Sequence, residues 1–557
     1  MTGSWPQPYY LFGGHLGISA FIAILPTLIL LYLLAWKRKP SWVAALAGLV
    51  ATLILAMAGY GMSAKLAFSS AAYGGCFGIF PISWIVFWAL VLYEITVQTG
   101  KFEIIKDSIG SVTSDKRMQA LLIAFAFGAF IEGCAGFGTP VAVAAAMLVG
   151  LGYSSLYASS ICLLANTAPV AFGSIGIPVI TLAGITALPL AQLSGVVGKL
   201  SAPISFFLPA YLILVTSGLP ATVEVWPAVL TCGAVFAGLQ FFVSNYIGPQ
   251  LTDILSSIGA MAALVLLLRF WEPKHTWDKE RNVDLEMKAS KDHLRIRQHD
   301  IRTGPHSTSG EIWSAWIPYI LLVIFVLAWG YAPFLKILNR ASIAFPWPGL
   351  HNQILRMPPV AAKPVKYAAI FNFSWLSASG TSAMFASIFA ALFARMTLAD
   401  FGKVILSIAR KLIFPTITVA AMLAMAYVMN YSGATGTLGL AFAATGKVFP
   451  FFSPLMGWLG VFLTGSDTSS NALFGNLQVV SAGRLGLNPV LIAAANSVGG
   501  VMGKMISLQT IAVAAAATGM SVSDQSKLFR FTLKHSIFLA AVVGVEVMLY
   551  AYVIHPR

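Results

Sequence analysis

Two acidic residues lie in apolar surroundings where a charge is costly. Glu132 sits in FGAFIEGCAGFGTPVAVAAAMLVGLGY (Phe127 to Tyr153), a run of membrane length, and is followed at once by Gly133, Gly136, Gly138, Thr139 and Pro140. Asp467 sits in LTGSDTSSNALFG (Leu463 to Gly475), between Ser466 and the polar series Thr468, Ser469, Ser470 and Asn471. An ionisable residue inside an apolar segment of this length is read as functional. Burial favours the protonated form of a carboxyl, so Glu132 and Asp467 are candidates to load and unload a proton. The Gly and Pro residues beside them predict interrupted helices, whose bared backbone is tolerated in a membrane only inside protein or along a cavity. Half-helix N-termini turn N–H groups and a positive dipole toward such a cavity, which suits an anion.

The polar groups around these breaks suit a small solute. Thr139, Asn166, Thr167, Ser466, Thr468, Ser469, Ser470, Asn471 and Asn496 offer hydroxyl and amide groups, and Lys504 in GGVMGKMIS offers a point charge for a carboxylate. Each has a plainer reading. Ser, Thr and Asn also bond across membrane helices as packing glue. Glu132 pairs permanently with Lys504 or a helix end on the same view, and Lys504 is a snorkelling surface lysine. Glu94 nears the end of its span and has weaker support. His15, His535 and His555 lie near predicted span ends and read as interfacial. Aromatic stacking walls are not evident.

The elements that must position these residues follow from composition. The chain has 557 residues, of which 58% are hydrophobic and 10% charged. A soluble domain carries roughly 25% charged residues, so this is an integral membrane protein, and apolar runs of roughly 20 residues recur along it. No alternation of period two suggests a β-barrel. The net charge of +15 comes from cations between apolar segments, as the positive-inside rule expects, and not from a basic, aromatic-laced nucleic-acid surface. Cys76, Cys134, Cys162 and Cys232 lack metal or disulfide spacing and read as packing residues. No cofactor is implied, and oligomeric state is left open. A GxxxxGK[ST] phosphate loop, HExxH and a Ser/His/Asp set are all absent, which disfavours ATP-driven pumping and enzyme chemistry.

Taken in order, the chain predicts an all-α polytopic protein of roughly 12 to 14 spans. A first span, His15 to Trp36, meets Lys37, Arg38 and Lys39, which puts the N-terminus outside. Residues Met118 to Gly152 are too long for one straight span and fit two half-spans or a re-entrant hairpin. Further spans are expected over Pro203 to Ser217, Phe371 to Phe393, Val404 to Met429 and Ser536 to Ile554, among others. The depth of Ala64 to Gly78 stays open. Residues 1–271 form a first membrane half, 272–311 a charged cytoplasmic linker and 312–557 a second half. Ile343 to Lys366 holds five prolines and reads as extended and non-spanning.

The two halves look alike. Glu132 with its glycines corresponds to Asp467 with its hydroxyls, Asn166 to Asn496, and Gln98-Thr99-Gly100 to Tyr431-Ser432-Gly433, at an offset of roughly 330 residues. Internal repeats with paired broken helices mark secondary transporters, with the site at the repeat interface. Inversion of the repeats is the expectation, which a basic linker permits.

At these residues the sequence resembles the lactate permease family. The strings that carry the resemblance are EGCAGFGTPVAV (132–143), LLANTAPVAFG (163–173), SNYIGP (244–249), FPFFSPLMGWLGVFLTGSDTSSNALFG (449–475), GGVMGKMISLQTIAVAAAATG (499–519) and LFRFTLKHS (528–536). The resemblance implies proton-coupled symport of lactate and glycolate in a bacterial inner membrane, with a small monocarboxylate, protons and the lipid bilayer as partners and no nucleic acid. It also implies likeness in organisation to transporters whose mobile domain moves past a scaffold. A dicarboxylate or cation exchanger on a related scaffold is the alternative. A second fixed cation in the site would favour dicarboxylates, and only Lys504 is at hand.

Overall fold

The computed structural model describes residues 4–11, 14–37, 39–136, 138–274, 308–361 and 363–554. Most of the charged linker (275–307), Arg38 and His555 therefore lie outside the described residues. Among those described, 11 helices are long and apolar enough to cross a membrane, or up to 12 if the bent pair Ser155–Ala165 and Val170–Thr186 counts as one span. This meets the lower edge of the roughly 12 to 14 expected. The interrupted segments yield pieces such as Thr139–Gly150, too short to cross alone.

Helices dominate because a chain in hydrocarbon must satisfy its backbone within each segment. Several run further than their apolar cores. Leu398–Ser432 spans 35 residues, capped by the Thr397 side chain and ended at Gly433 in the left-handed region. At 1.5 Å per residue it is about 50 Å long, well beyond the hydrocarbon thickness. The expected span at Pro203 instead begins at Leu190 and carries Pro203 and Pro209 inside one 28-residue helix. Neighbouring helices make such prolines tolerable. The span expected over Ser536 to Ile554 lies in a helix that begins at Val522, capped by Ser521, and takes in Lys527, Arg530 and Lys534. Ala64–Phe77 is helical and lies against Leu398–Ser432, where Gly74 and Gly78 allow backbone contact at Leu423 and Ala420.

One correction to the all-α expectation is a pair of small sheets. The proline-rich segment is non-spanning, and it pairs. Trp5–Pro6, Ile354–Arg356 and Val365–Lys366 form one sheet, and Ile343–Pro346 with Ile370–Phe373 form the other. Consequently only Ser379–Phe393 of the expected 371–393 span is helical. Beneath the sheets Tyr73 makes edge contacts with Trp347, Phe371, Tyr427 and Tyr431 at centroid distances of 5.0–6.3 Å.

Two stretches of chain carry the same succession of elements. In the first, Gly128–Cys134, a break, Thr139–Gly150, Ser155–Ala165, a second break and Gly173–Thr186 lead into the long helix Leu190–Ser217. In the second, Phe449–Thr464, a break, Asp467–Leu485, Pro489–Lys504, a fourth break and Leu508–Thr518 lead into Val522–Leu549. Their contacts are reciprocal. Gly173–Thr186 packs on Asp467–Leu485 as Leu508–Thr518 packs on Thr139–Gly150, and Leu190–Ser217 packs on Pro489–Lys504 as Val522–Leu549 packs on Ser155–Ala165. This order places Glu132 before the first break and Asp467 after the third, so by element Asp467 stands opposite Thr139 rather than Glu132.

Candidate functional site

Each break is made by identifiable residues. At the first, Gly136 and Gly138 adopt φ of 61° and 82°, a region open to glycine at little steric cost. The bare Cα of Gly136 also admits the Ser174 hydroxyl, with which any Cβ would collide. At the second, Ser174, Ile175 and Gly176 are all left-handed (φ 48°, 60° and 75°), and Ser174 Oγ donates to Ala135 O at 3.0 Å, tying the first two breaks together. Non-glycine residues held in that region are strained and cluster at functional sites. At the third, Gly465 (φ 73°) turns the chain so that Ser466 caps the helix Asp467–Leu485, accepting from Ser469 N at 3.2 Å. At the fourth, Lys504 ends one helix and Ser507 caps the next, accepting from Thr510 N at 3.1 Å.

All four breaks border one cavity of about 290 Å³, at the small end of ligand pockets. Gly138, Gly173, Ser174, Gly465, Ser466, Thr468, Ser469, Gln509 and Thr510 bring its polar and backbone groups, and Glu132, Asp467 and Lys504 its charges. The far wall is apolar: Phe414, Thr418, Val419 and Met422 of Leu398–Ser432, with Ser41 and Trp42 at the start of Ser41–Ile54. Trp42 and Phe414 stack at 5.4 Å. This aromatic wall was not evident in sequence because its two rings come from distant parts of the chain.

Lys504 Nζ donates to Glu132 Oε1 at 2.8 Å, and both side chains are buried. Lys504 is thus no surface lysine, and it lies in the last turn of its helix, where the dipole favours a cation. Glu132 Oε2 has no hydrogen-bond partner among the described residues. Gly173 makes room for the pair, since a Cβ there would stand 2.6 Å from Glu132 Oε1. Asp467 Oδ2 accepts from Ser497 Oγ at 2.5 Å and Asn471 Nδ2 at 3.2 Å, whereas Oδ1 is unpartnered among the described residues. Asn471 is fixed in turn: its Oδ1 accepts from Asn496 Nδ2 at 2.9 Å, whose own Oδ1 accepts from Gln478 Nε2 at 3.2 Å. Lys504 also lies within electrostatic reach of Asp467.

Of the residues singled out from sequence, Glu132, Ser466, Asp467, Thr468, Ser469 and Lys504 line the cavity. Asn471 and Asn496 stand behind Asp467 and hold it. Ser470 Oγ donates to Gly457 O on a neighbouring helix, in the manner of packing glue, and Thr167 Oγ1 donates locally to Leu164 O. Asn166 closes Ser155–Ala165 with its amide buried and unpartnered among the described residues. Thr139 starts its helix beside Gly138 without bordering the cavity. Glu94 forms a half-exposed pair with Lys411 at 3.1 Å, away from the cavity. His535 lies within the helix Val522–Leu549, next to Lys534, with its Nδ1 2.5 Å from Tyr211 Oη.

Asp253 escaped the sequence reading. It opens the helix Thr252–Leu267, is 1% exposed, and neither carboxylate oxygen has a partner among the described residues. In sequence it stands at the edge of an apolar run and looks interfacial. The available signal was isolation, because Glu224 and Asp253 are the only charged residues between Lys199 and Arg269.

Interrupted membrane helices meeting around a small polar cavity define a multi-pass permease-type membrane protein. The family model described as L-lactate permease matches residues 19–554, and the chain belongs to that family. It is 44% identical to the L-lactate permease of Bacillus subtilis (strain 168), over 99% of each chain. It is 42% identical to the glycolate permease GlcA of Escherichia coli (strain K12) and 41% to that organism's L-lactate permease, over 99% of this chain and 98% of each relative. A solved structure of Neisseria gonorrhoeae MtrF, titled as illuminating a class of antimetabolite efflux pumps, aligns with 84% of this chain and 81% of its own, at 14% identity and a TM-score of 0.46.

Proposed function

We propose that this protein carries L-lactate, D-lactate and glycolate, small 2-hydroxy monocarboxylates, together with protons across a bacterial inner membrane. The observation that carries the reading is the buried Glu132–Lys504 pair on the cavity wall. Among the described residues Lys504 is the one cation lining that cavity, which favours a monocarboxylate over a dicarboxylate. In this structure Glu132 holds Lys504. A proton on Glu132 releases Lys504, whose ammonium then binds the substrate carboxylate. Capturing the anion without that proton would strand a buried carboxylate, at a cost of about 3–5 kcal/mol. Since 1.4 kcal/mol is tenfold, uncoupled binding is suppressed between about 100-fold and a few thousand-fold. Asp467 lines the same cavity, and its buried, unpartnered Oδ1 would accept the 2-hydroxyl once the side chain turns from Gly500 toward bound substrate. The cycle transports and does not catalyse.

The reciprocal packing of the two element series supports their reading as inverted repeats, one in each half of the chain. The apolar wall of Leu398–Ser432 and Ser41–Ile54 would be the scaffold past which the broken helices move. The test is uptake of labelled L-lactate into proteoliposomes with and without an inward proton gradient. Gradient-stimulated uptake blocked by excess glycolate is expected. No stimulated uptake into sealed, loaded vesicles would reject the reading.

A further inference from the structure

Behind Glu132, away from the cavity, the helix Thr252–Leu267 packs on Gly128–Cys134. Gly133 is what permits the approach, because a Cβ there would lie 2.8 Å from Asp253 Cβ. Asp253 thereby reaches the vicinity of Glu132 without lining the cavity. Glu132 and Lys504 act on it electrostatically, and it acts on Cys134. The other elements packed on this helix are Trp226–Tyr246, Ala120–Phe127 and Gly173–Thr186. They contain no charged residue, and Cys232 and Tyr246 are their only titratable groups.

This is an unusual place for an acid. A buried polar group with no partner is costly, and more so when charged. An ionised Asp253 has one source of compensation nearby, the ammonium of Lys504, and in this structure Glu132 holds it at 2.8 Å. Two carboxyls, one bonded to Lys504 and one within its electrostatic reach, thus share one cation. Resting on the reading of Lys504 as the substrate's cation, we propose that Asp253 is a second proton-carrying carboxyl of the transport site. Lys504 balances one carboxylate at a time. The empty site therefore keeps one proton between Glu132 and Asp253, resting on Asp253 when Glu132 bonds Lys504. When a substrate anion takes Lys504, one further proton enters and both carboxyls are neutral. On release the substrate leaves with one proton, from either carboxyl, and Lys504 returns to the carboxylate so formed. Charge and protons balance at one proton per anion.

The test is the pH dependence of L-lactate uptake in proteoliposomes carrying wild type or Asp253→Asn. Two interacting carboxyls titrate as a pair, so removing one is expected to move the pH midpoint of uptake by about half a unit or more. An Asp253 that stays protonated as mere filling predicts an unmoved midpoint in Asp253→Asn, and that result overturns the proposal. Where the amide gives no transport-competent protein, Asp253→Glu and Asp253→Ser decide. Transport by Glu with the wild-type midpoint and not by Ser supports a required carboxyl. Transport by Ser with the wild-type midpoint, or by neither, assigns Asp253 a purely structural part. Wild-type vesicles in the same series separate the two claims, because their failure to show gradient-driven uptake removes the transport reading itself and not Asp253 alone.

Discussion

Lys504 and Asp467 hold their positions for different reasons, and substitution should separate them. Lys504 is fixed by Glu132 and its helix end, so Lys504→Gln removes the one cation of the described cavity lining and leaves Glu132 without its partner. The half-saturation concentration for L-lactate should rise about tenfold or more, the scale of a charge-assisted bond worth about 1.5–3 kcal/mol. An unaltered value in uptake assays would remove Lys504 from binding. Asp467 is held by Ser497 and Asn471 through one oxygen, leaving the other free among the described residues. Asp467→Asn should therefore reduce the preference for lactate over propionate, which lacks the hydroxyl, by about five- to tenfold. Preference intact with proton-driven accumulation lost would give Asp467 the proton and take it from Glu132. Both residues were legible in sequence, because a charge inside a membrane-length apolar run stands out against its neighbours. Asp253 was not, since nothing local distinguishes an acid at the edge of a span from one folded inward beside Gly133.

At the scale of elements, the breaks are as much a part of the site as the side chains. Gly465 makes the third break, with φ of 73° and a would-be Cβ 2.7 Å from Gln509 Oε1. Gly465→Ala forces a side chain into left-handed backbone at a cost of about 1–2 kcal/mol. A lower melting temperature in detergent and a weaker L-lactate half-saturation should appear together. A stable variant with normal uptake would mean that this turn does not shape the cavity. Sequence revealed where helices stop, because Gly and Pro at Gly133–Pro140 and Gly465 leave a local mark. It placed helix starts poorly at Leu190 and Val522, since prolines that would break a soluble helix are accommodated here by neighbours, and lysines that would end an apolar span sit in the polar end of a longer helix. By element order Glu132 closes a helix and Asp467 opens one, a difference that matching charge to charge does not register.

At the scale of the molecule, contacts between distant segments bear on sidedness. Lys101 Nζ donates to Ser314 O at 2.8 Å, joining the start of the helix Lys101–Gly110 to the start of Ser309–Gly330. Trp5–Pro6 pairs with Ile354–Arg356, joining the N-terminal segment to the chain beyond that helix. One crossing separates the two contacts, which supports the proposed exterior N-terminus. In a Cys76→Ser background, Asn339→Cys should react with a membrane-impermeant maleimide on intact cells, and Lys403→Cys only after permeabilisation. The reverse pattern would invert the topology. That same strand pairing has a consequence for how the protein is made. Trp5 reaches the membrane early in synthesis, yet its partner Ile354 emerges only after most of the chain has been translated, and Gln7 must then also reach the Asn430 and Tyr431 carbonyls at 2.8 Å. Contacts so far apart in sequence form late. Trp5 and Gln7 therefore wait for these partners through insertion of many spans, so a fusion placed just before them should hinder maturation more than the few contacts they make suggest.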